Sequence, residues 1–256
     1  MRADMIRIDR PAVPSLFVTA TDTGVGKTVI SAAIARYLKD RRQKVAVLKP
    51  VASGCYRARE GLISEDAEFL AAASDTHHPL DLICPNRYQE PLAPGVAALR
   101  AGQPVDWDAV SRSIQLMSRD SDCMIIEGAG GLFVPLDEQH TILDLILALA
   151  VPVLIVARPF LGTINHTLLT IQALRSAGVE MAGVVINRYP AEHPGVAEET
   201  SPQQIEKFGK VPVLALVPEE PFFAPTIGSG IMSAIVRVDW KSKLKPGKVS
   251  VRHDVP

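Results

Sequence analysis

The residues with the plainest chemical use are Gly26, Lys27 and Thr28, which close the stretch "TATDTGVGKT" at residues 19–28. Gly-Lys-Ser/Thr between a strand and a helix is the ending of a phosphate-binding loop. Backbone N–H groups there face an anion, the lysine reaches the terminal phosphates and the hydroxyl ligates magnesium. The usual pattern places a first glycine five residues before Gly26, and Thr21 stands there instead. Gly24 adds a second flexible point, and Val25 and Val29 flank the ending. A glycine turn with a solvated lysine would carry the same three letters by chance, so the setting must decide.

Two carboxylates and a second lysine stand where a magnesium and phosphate site would want them. Glu127 ends the apolar run "CMIIE" and precedes Gly128, Ala129 and Gly130, whose small size allows close backbone approach. A charged residue ending an apolar strand needs a partner. Asp66 opens the helical run "SEDAEFLAAA"; taken alone it reads better as a helix N-terminal acid than as a ligand. Magnesium takes one or two carboxylates together with phosphates and water, a demand these two acids could meet. Lys49, in "LKPVASG", points toward the same end of the sheet, with Ser53 and Gly54 as donors behind it. A solvated lysine fits that position equally well.

The elements that must position these groups alternate. "SLFVT" (15–19), "KVAVLK" (44–49), "CMIIEG" (123–128), "VPVLIVA" (151–157), "AGVVINR" (182–188) and "VPVLALVP" (211–218) are continuous apolar runs, the mark of parallel strands covered on both faces. Amphipathic patterns fill the gaps, with Val29, Ile30, Ala33, Ile34, Tyr37 and Leu38 on one face of the first helix. Strand–helix alternation predicts an α/β fold with a doubly wound, mostly parallel sheet of the P-loop NTPase type, carrying a deviant phosphate loop. Ligands of such sheets bind beyond the carboxyl ends of the strands. Residues 84–106, rich in Pro and Gly, are long for a connection and suggest a binding loop. The pattern fades after about residue 220, so residues 1–225 read as one domain and 226–256 as a C-terminal tail of partial order.

Composition narrows the classes. Of 256 residues, 47% are hydrophobic and 21% charged, and the formal net charge of −1 offers nothing to nucleic acid or to an anionic membrane surface. The N-terminal "MRADMIRIDRPAVP" is too charged for a signal peptide, and the apolar run 145–157 is broken by Pro152 and too short for a bilayer. Cys55, Cys84 and Cys123 have no metal-binding spacing and cannot all pair, which suits a reducing cytoplasm.

Taken in order, "TDTGVGKT", "KPVASG", Asp66, "EGAGG", "LGTINH" and Asn187 resemble the dethiobiotin synthetases, over about Leu16 to Glu220. That family carries Thr at the Thr21 position. The resemblance implies an ATP- and Mg²⁺-dependent ligase of biotin biosynthesis, acting on 7,8-diaminononanoate and CO₂ (or bicarbonate). A carbamate and a carbamic-phosphoric anhydride would lie on its path. It implies that Lys27 and Lys49 flank the transferring group, that Thr23 and Ser53 position the diamine or carbamate, and that Thr28, Asp66 and Glu127 hold magnesium. Asn187, Arg188, Pro218, Glu219 and Glu220 match adenine positions. Gly162, Thr163, Ile164 and Asn165, at a helix start, would bind the substrate carboxylate from the neighbouring subunit of a homodimer.

Three positions depart from the family: Ala20 for Gly, Gly24 for a frequent Glu, and Gly95 for a frequent His. Partition- or septum-type switch ATPases share the expected fold, but their loop begins with a lysine where this chain has Asp22. Cobyrinate-type amide synthases need a glutaminase domain, for which too few residues follow 220.

Overall fold

The structure is a computed structural model, and it describes residues 5–220 and 226–247. From its start the chain runs through β1 (Ser15–Ala20), α1 (Lys27–Asp40), β2 (Val45–Leu48), β3 (Val51–Ala52), β4 (Tyr56–Ala58), β5 (Gly61–Ile63) and α2 (Glu65–Ser74). It continues with α3 (Leu80–Ile83), β6 (Asn86–Arg87), α4 (Pro94–Ala101), α5 (Trp107–Ser118), β7 (Cys123–Gly131) and α6 (Ile142–Leu149). It closes with β8 (Val153–Ala157), α7 (Thr163–Ser176), β9 (Met181–Tyr189), α8 (Val196–Gly209), β10 (Val213–Pro218) and α9 (Ser229–Ile235).

The six expected strands form one sheet in the order β10-β9-β8-β1-β7-β2, every neighbouring pair parallel. β1, β2 and β8 are buried along their whole length, which explains why their sequences do not alternate. Successive residues of β1 serve opposite faces: Leu16 and Val18 pack with α1, α2 and α9, and Phe17 packs with α5, α6 and α7. The chain passes from β7 to β8 across β1, so the topological switch, and the crevice it opens, lies at the carboxyl end of β1. There α1 begins.

The segment after residue 226 contributes more to the core than a fading pattern suggests. Ile231 and Ile235 of α9, with Val238, Trp240 and Leu244, are buried against α1 and the sheet. Trp240 donates its indole N–H to the Ile235 carbonyl at 2.8 Å, and Ser15 and Lys245 exchange backbone hydrogen bonds at 2.8 and 3.2 Å. Residues 248–256 of the expected tail, and residues 1–4 and 221–225 of the expected domain, lie outside the described residues. Residues 84–106 are not a bare loop, since they hold β6 and α4. At Gly95 a Cβ would lie 3.1–3.2 Å from the backbone of Leu136 and Asp137, so any side chain there would press on that backbone. No helix among the described residues is long and apolar enough to cross a membrane.

Candidate active site

The loop between β1 and α1 explains its own deviation. Thr21 is not among the residues with positive φ, and its N–H donates to the Val156 carbonyl at 3.0 Å, continuing the line of β1 beside β8. No glycine is needed where no left-handed turn occurs. Ala20 lies within β1, where a residue other than glycine carries no strain either. The turn comes later, at Gly24 (φ 73°) and Gly26 (φ 91°). Gly26 has a second reason: a Cβ there would sit 2.2 Å from Nδ2 of Asn187. Asn187, buried at the end of β9, donates that amide to the Val25 carbonyl at 2.8 Å and so ties the loop down. The N–H groups of Lys27, Thr28 and Val29 begin α1 without a side-chain cap, the arrangement that offers an anion several donors and a positive dipole end.

Below the loop, four side chains meet. The Thr28 hydroxyl lies 2.9 Å from both Asp66 Oδ1 and Glu127 Oε1, and its single proton can go to one of them at a time. Lys49 Nζ donates to Asp66 Oδ2 and to Glu127 Oε1, each at 2.6 Å. Glu127 is fully buried, and its Oε2 has no hydrogen-bond partner. Asp66 reaches the group because another residue caps its helix: Ser64 Oγ accepts the Ala67 N–H at 3.3 Å.

The charges set one another. Burial pulls Lys49 toward the neutral form, but Glu127 and Asp66 outweigh it and hold Lys49 protonated well above an ordinary lysine. Burial works against the Asp66 carboxylate too, and Lys49 and the Thr28 hydroxyl reverse it, leaving its pKa below the usual value. For Lys27, burial wins, assisted by Lys49, and its pKa is lowered despite Glu127 and Asp66. The result is one permanently charged ammonium and one that titrates more easily. The oxygens of Thr28, Asp66 and Glu127 converge as a hard-cation donor set, and the unpartnered Glu127 Oε2 is an oxygen still free to take a ligand. These residues fit magnesium.

All this lines a cleft of about 1120 Å³ over the carboxyl ends of the strands. Every expected site residue reaches it except Val25, Gly128 and the four residues at 162–165. Val25 points its side chain into the core and offers only its carbonyl, to Asn187. Gly128 serves packing: a Cβ there would stand 3.0 Å from two ring carbons of Phe17. Glu220 lines the cleft, but its carboxylate accepts the N–H groups of Gly230 and Ile231 at 2.9 and 3.1 Å, capping α9. Gly162 (φ 98°) starts α7 outside the cleft. The Thr163 N–H, one of the donors the carboxylate site would use, instead donates to the Phe160 carbonyl at 3.0 Å.

Two features escape a linear reading. Glu65, Glu68, Phe69 and Ala72 line the cleft from one face of α2; their i, i+3, i+4, i+7 spacing was the available signal. Asp22 forms an ion pair with Arg158, which follows β8, and this joins the phosphate loop to the start of the α7 connection. Nothing local in sequence announces that pair.

A six-stranded parallel sheet with a phosphate loop at its switch point defines a P-loop NTPase. The chain accordingly matches an AAA domain family over residues 14–225. Its fold is similar to that of the MinC:MinD cell division protein complex of Aquifex aeolicus, with a TM-score of 0.56, 15% identity, and coverage of 88% of this chain and 93% of that one. At that identity the likeness speaks for fold alone. Sequence relatives are more specific. The chain is 43% identical over 211 residues to the ATP-dependent dethiobiotin synthetase BioD of Bacillus licheniformis, covering 82% of this chain and 88% of that protein. It is 40% identical over 205 residues to the protein of the same name from Bacillus velezensis, covering 80% and 86%. The chain belongs to the dethiobiotin synthetase family, and it is an enzyme of that ligase type.

Proposed function

We propose that this chain uses ATP to join CO₂ to 7,8-diaminononanoate and closes the product into the cyclic urea dethiobiotin. The observation that carries this reading is the convergence of Lys27, Lys49, Thr28, Asp66 and Glu127 in one cleft. One amine nitrogen bonds to CO₂ and loses a proton, giving a carbamate. A carbamate oxygen then attacks the γ-phosphorus as ADP leaves. The second amine attacks the carbamoyl carbon, closing the ring as phosphate departs. Each stage gathers negative charge, so positioning and fixed positive charge are the main demands on the protein.

Magnesium, held by Thr28, Asp66 and Glu127, would supply charge neutralisation across the transferred phosphoryl group. Lys49 is kept protonated by its two carboxylates, which suits it to stabilise the carbamate and the developing charge and unsuits it as a base. Lys27, at the start of α1, faces the phosphates. Ser53 spends its proton on the Leu92 carbonyl at 2.6 Å, so its oxygen is left to accept from an amine N–H. Thr23, exposed at the loop tip, faces the diamine. Asn187 has committed its amide N–H to Val25, leaving its oxygen for the adenine amino group, with Arg188, Pro218 and Glu219 beside it.

The substrate carboxylate falls to the helix start at 162–165 of a second copy in a homodimer. Ile164 and Asn165 carry free backbone N–H groups there among the described residues, and Phe160 and Leu161 beside them are 48% and 91% exposed. Three buried free cysteines suit a cytoplasmic setting. The test is incubation with diaminononanoate, bicarbonate, Mg²⁺ and ATP, with mass spectrometry for the cyclic urea. ATP turnover that neither needs the diamine nor yields the urea would overturn the reading.

A further inference from the structure

At the opposite, amino edge of the sheet, His77 and His78 follow α2, and Asp120 and Ser121 follow α5. We propose that His77, His78 and Asp120 form a binding site for a divalent metal of the zinc class. One ligand atom from each residue lies within 4.8 Å of the others. His77 Nε2 is 2.9 Å from Asp120 Oδ2, and His78 Nε2 is 3.4 Å from Asp120 Oδ1. Around a tetrahedral metal with bonds of about 2.0–2.2 Å the ligand atoms stand roughly 3.3–3.6 Å apart, so the cluster needs only small side-chain adjustments to take one. Two imidazoles and a carboxylate select borderline metals over magnesium or calcium, which prefer oxygen.

The histidines are not equivalent, and the difference favours the site. The His78 side chain is 6% exposed and that of His77 is 73% exposed. The buried His78 ring is held in place by its surroundings, while the exposed His77 ring can swing to complete the ligand set. With the metal on Nε2 the ring proton sits on Nδ1, so a neutral ring releases no net proton. The two rings pack at a centroid distance of 4.4 Å, and Ser121 Oγ lies 3.4 Å from His78 Nε2. α2 and α5 pack on opposite faces of β2, the edge strand of the sheet. A metal here would clasp the two helices across that edge, away from the cleft and independently of the proposed reaction.

The test uses Co²⁺ as probe on the full chain after chelator treatment, with millimolar Mg²⁺ present to occupy oxygen-only sites. A site with two imidazoles and low coordination gives strong visible absorption, where oxygen-only, six-coordinate cobalt absorbs only weakly. One cobalt per chain should bind with that signature, and Zn²⁺ should displace it and raise the unfolding temperature. His77→Ala and Asp120→Asn, both at exposed positions, should each weaken binding at least tenfold. His193→Ala should leave it unchanged. Absence of the signature, or binding equal in wild type and both variants, or binding lost with His193, would overturn the proposal.

Discussion

α1 and α7 begin in nearly the same way and do different work. Each has 14 residues, follows a central strand (β1 or its neighbour β8), and starts from a left-handed glycine, Gly26 at φ 91° and Gly162 at φ 98°. Neither has a side-chain cap or an acid in its first turn, so both present N–H groups to an anion. Their surroundings differ. Asn187 crosses from β9 to hold the first start, and Lys27, 7% exposed, supplies its cation. At the second start a Cβ on Gly162 would meet only His166, at 3.9 Å, and apolar side chains stand in the open. One anion site is completed within the chain. The other lacks a cover, which agrees with the second-subunit role that the family resemblance implies for it.

The largest effect should come from removing the cations of the first start. Lys27→Ala is expected to lower kcat/KM at least about 10³-fold and to weaken ATP binding in calorimetry. Lys49→Met should instead lower kcat by about 10²–10³-fold while ATP affinity changes little, because its partners are carbamate and transferring charge. It also leaves Glu127 buried without its cation, at a cost of about 3 kcal/mol in stability. Since magnesium would supply the lost charge, the thermal stability of that variant should respond to Mg²⁺ more than wild type does. Equal ATP loss in both variants would erase the division of labour between the lysines.

The glycines sharpen the comparison directly. Alanine at either position takes on the left-handed strain of about 1–2 kcal/mol. Gly26→Ala adds the 2.2 Å collision with Asn187, so ATP affinity should fall by about tenfold or more beyond any stability loss. Gly162→Ala should cost stability only modestly and spare ATP binding. Matching ATP defects in the two variants would show that the starts are not separate sites.

A pH titration asks less of the protein. The Lys27 pKa is lowered, mainly by burial, so the unliganded protein loses that proton below pH 10.5, and bound phosphate should restore it. ATP affinity should therefore fall with rising pH before an ordinary lysine would titrate, and Lys27→Arg should remove the slope. Calorimetry across pH 7–10 in that pair checks the sign, and a wild-type profile as flat as the arginine variant would count against Lys27 as the phosphate cation.

Much of the first start was legible, because its parts are local: a strand, two glycines, a lysine and a helix pattern within some twenty residues. The six strands read correctly for the same reason, each being a continuous apolar run. What stayed hidden depends on partners remote in sequence. Glu220 matches an adenine position, but α9, ten residues on, takes its carboxylate. Gly128 sits in a glycine-rich strand end, but Phe17 decides its role. Trp240 lies in a segment with weak periodicity, and only the fold shows the pocket it fills. Thr163 sits at a helix start where its N–H would be open to an anion, and sequence does not show that the chain turns back to offer it the Phe160 carbonyl.

The last test concerns the second start. If Ile164 and Asn165 bind the substrate carboxylate, replacing that carboxylate by a neutral amide should raise KM about 10- to 100-fold with kcat little changed, the loss of charge-assisted hydrogen bonds. A competing account would place the carboxylate on Arg158 or Arg188 of the same chain, and the amide would weaken binding there too. Mixed dimers separate the two. Lys49→Met disables a chain at its cleft; a second chain is disabled by lengthening the 162–165 turn. If sites are shared, one cleft of the mixed dimer unites both defects and the other has neither, so activity should return toward half of one wild-type dimer. If each chain binds its own carboxylate, both clefts stay defective. A verified mixed dimer with no recovered activity would return Gly162 to an ordinary helix start and end the parallel with Gly26.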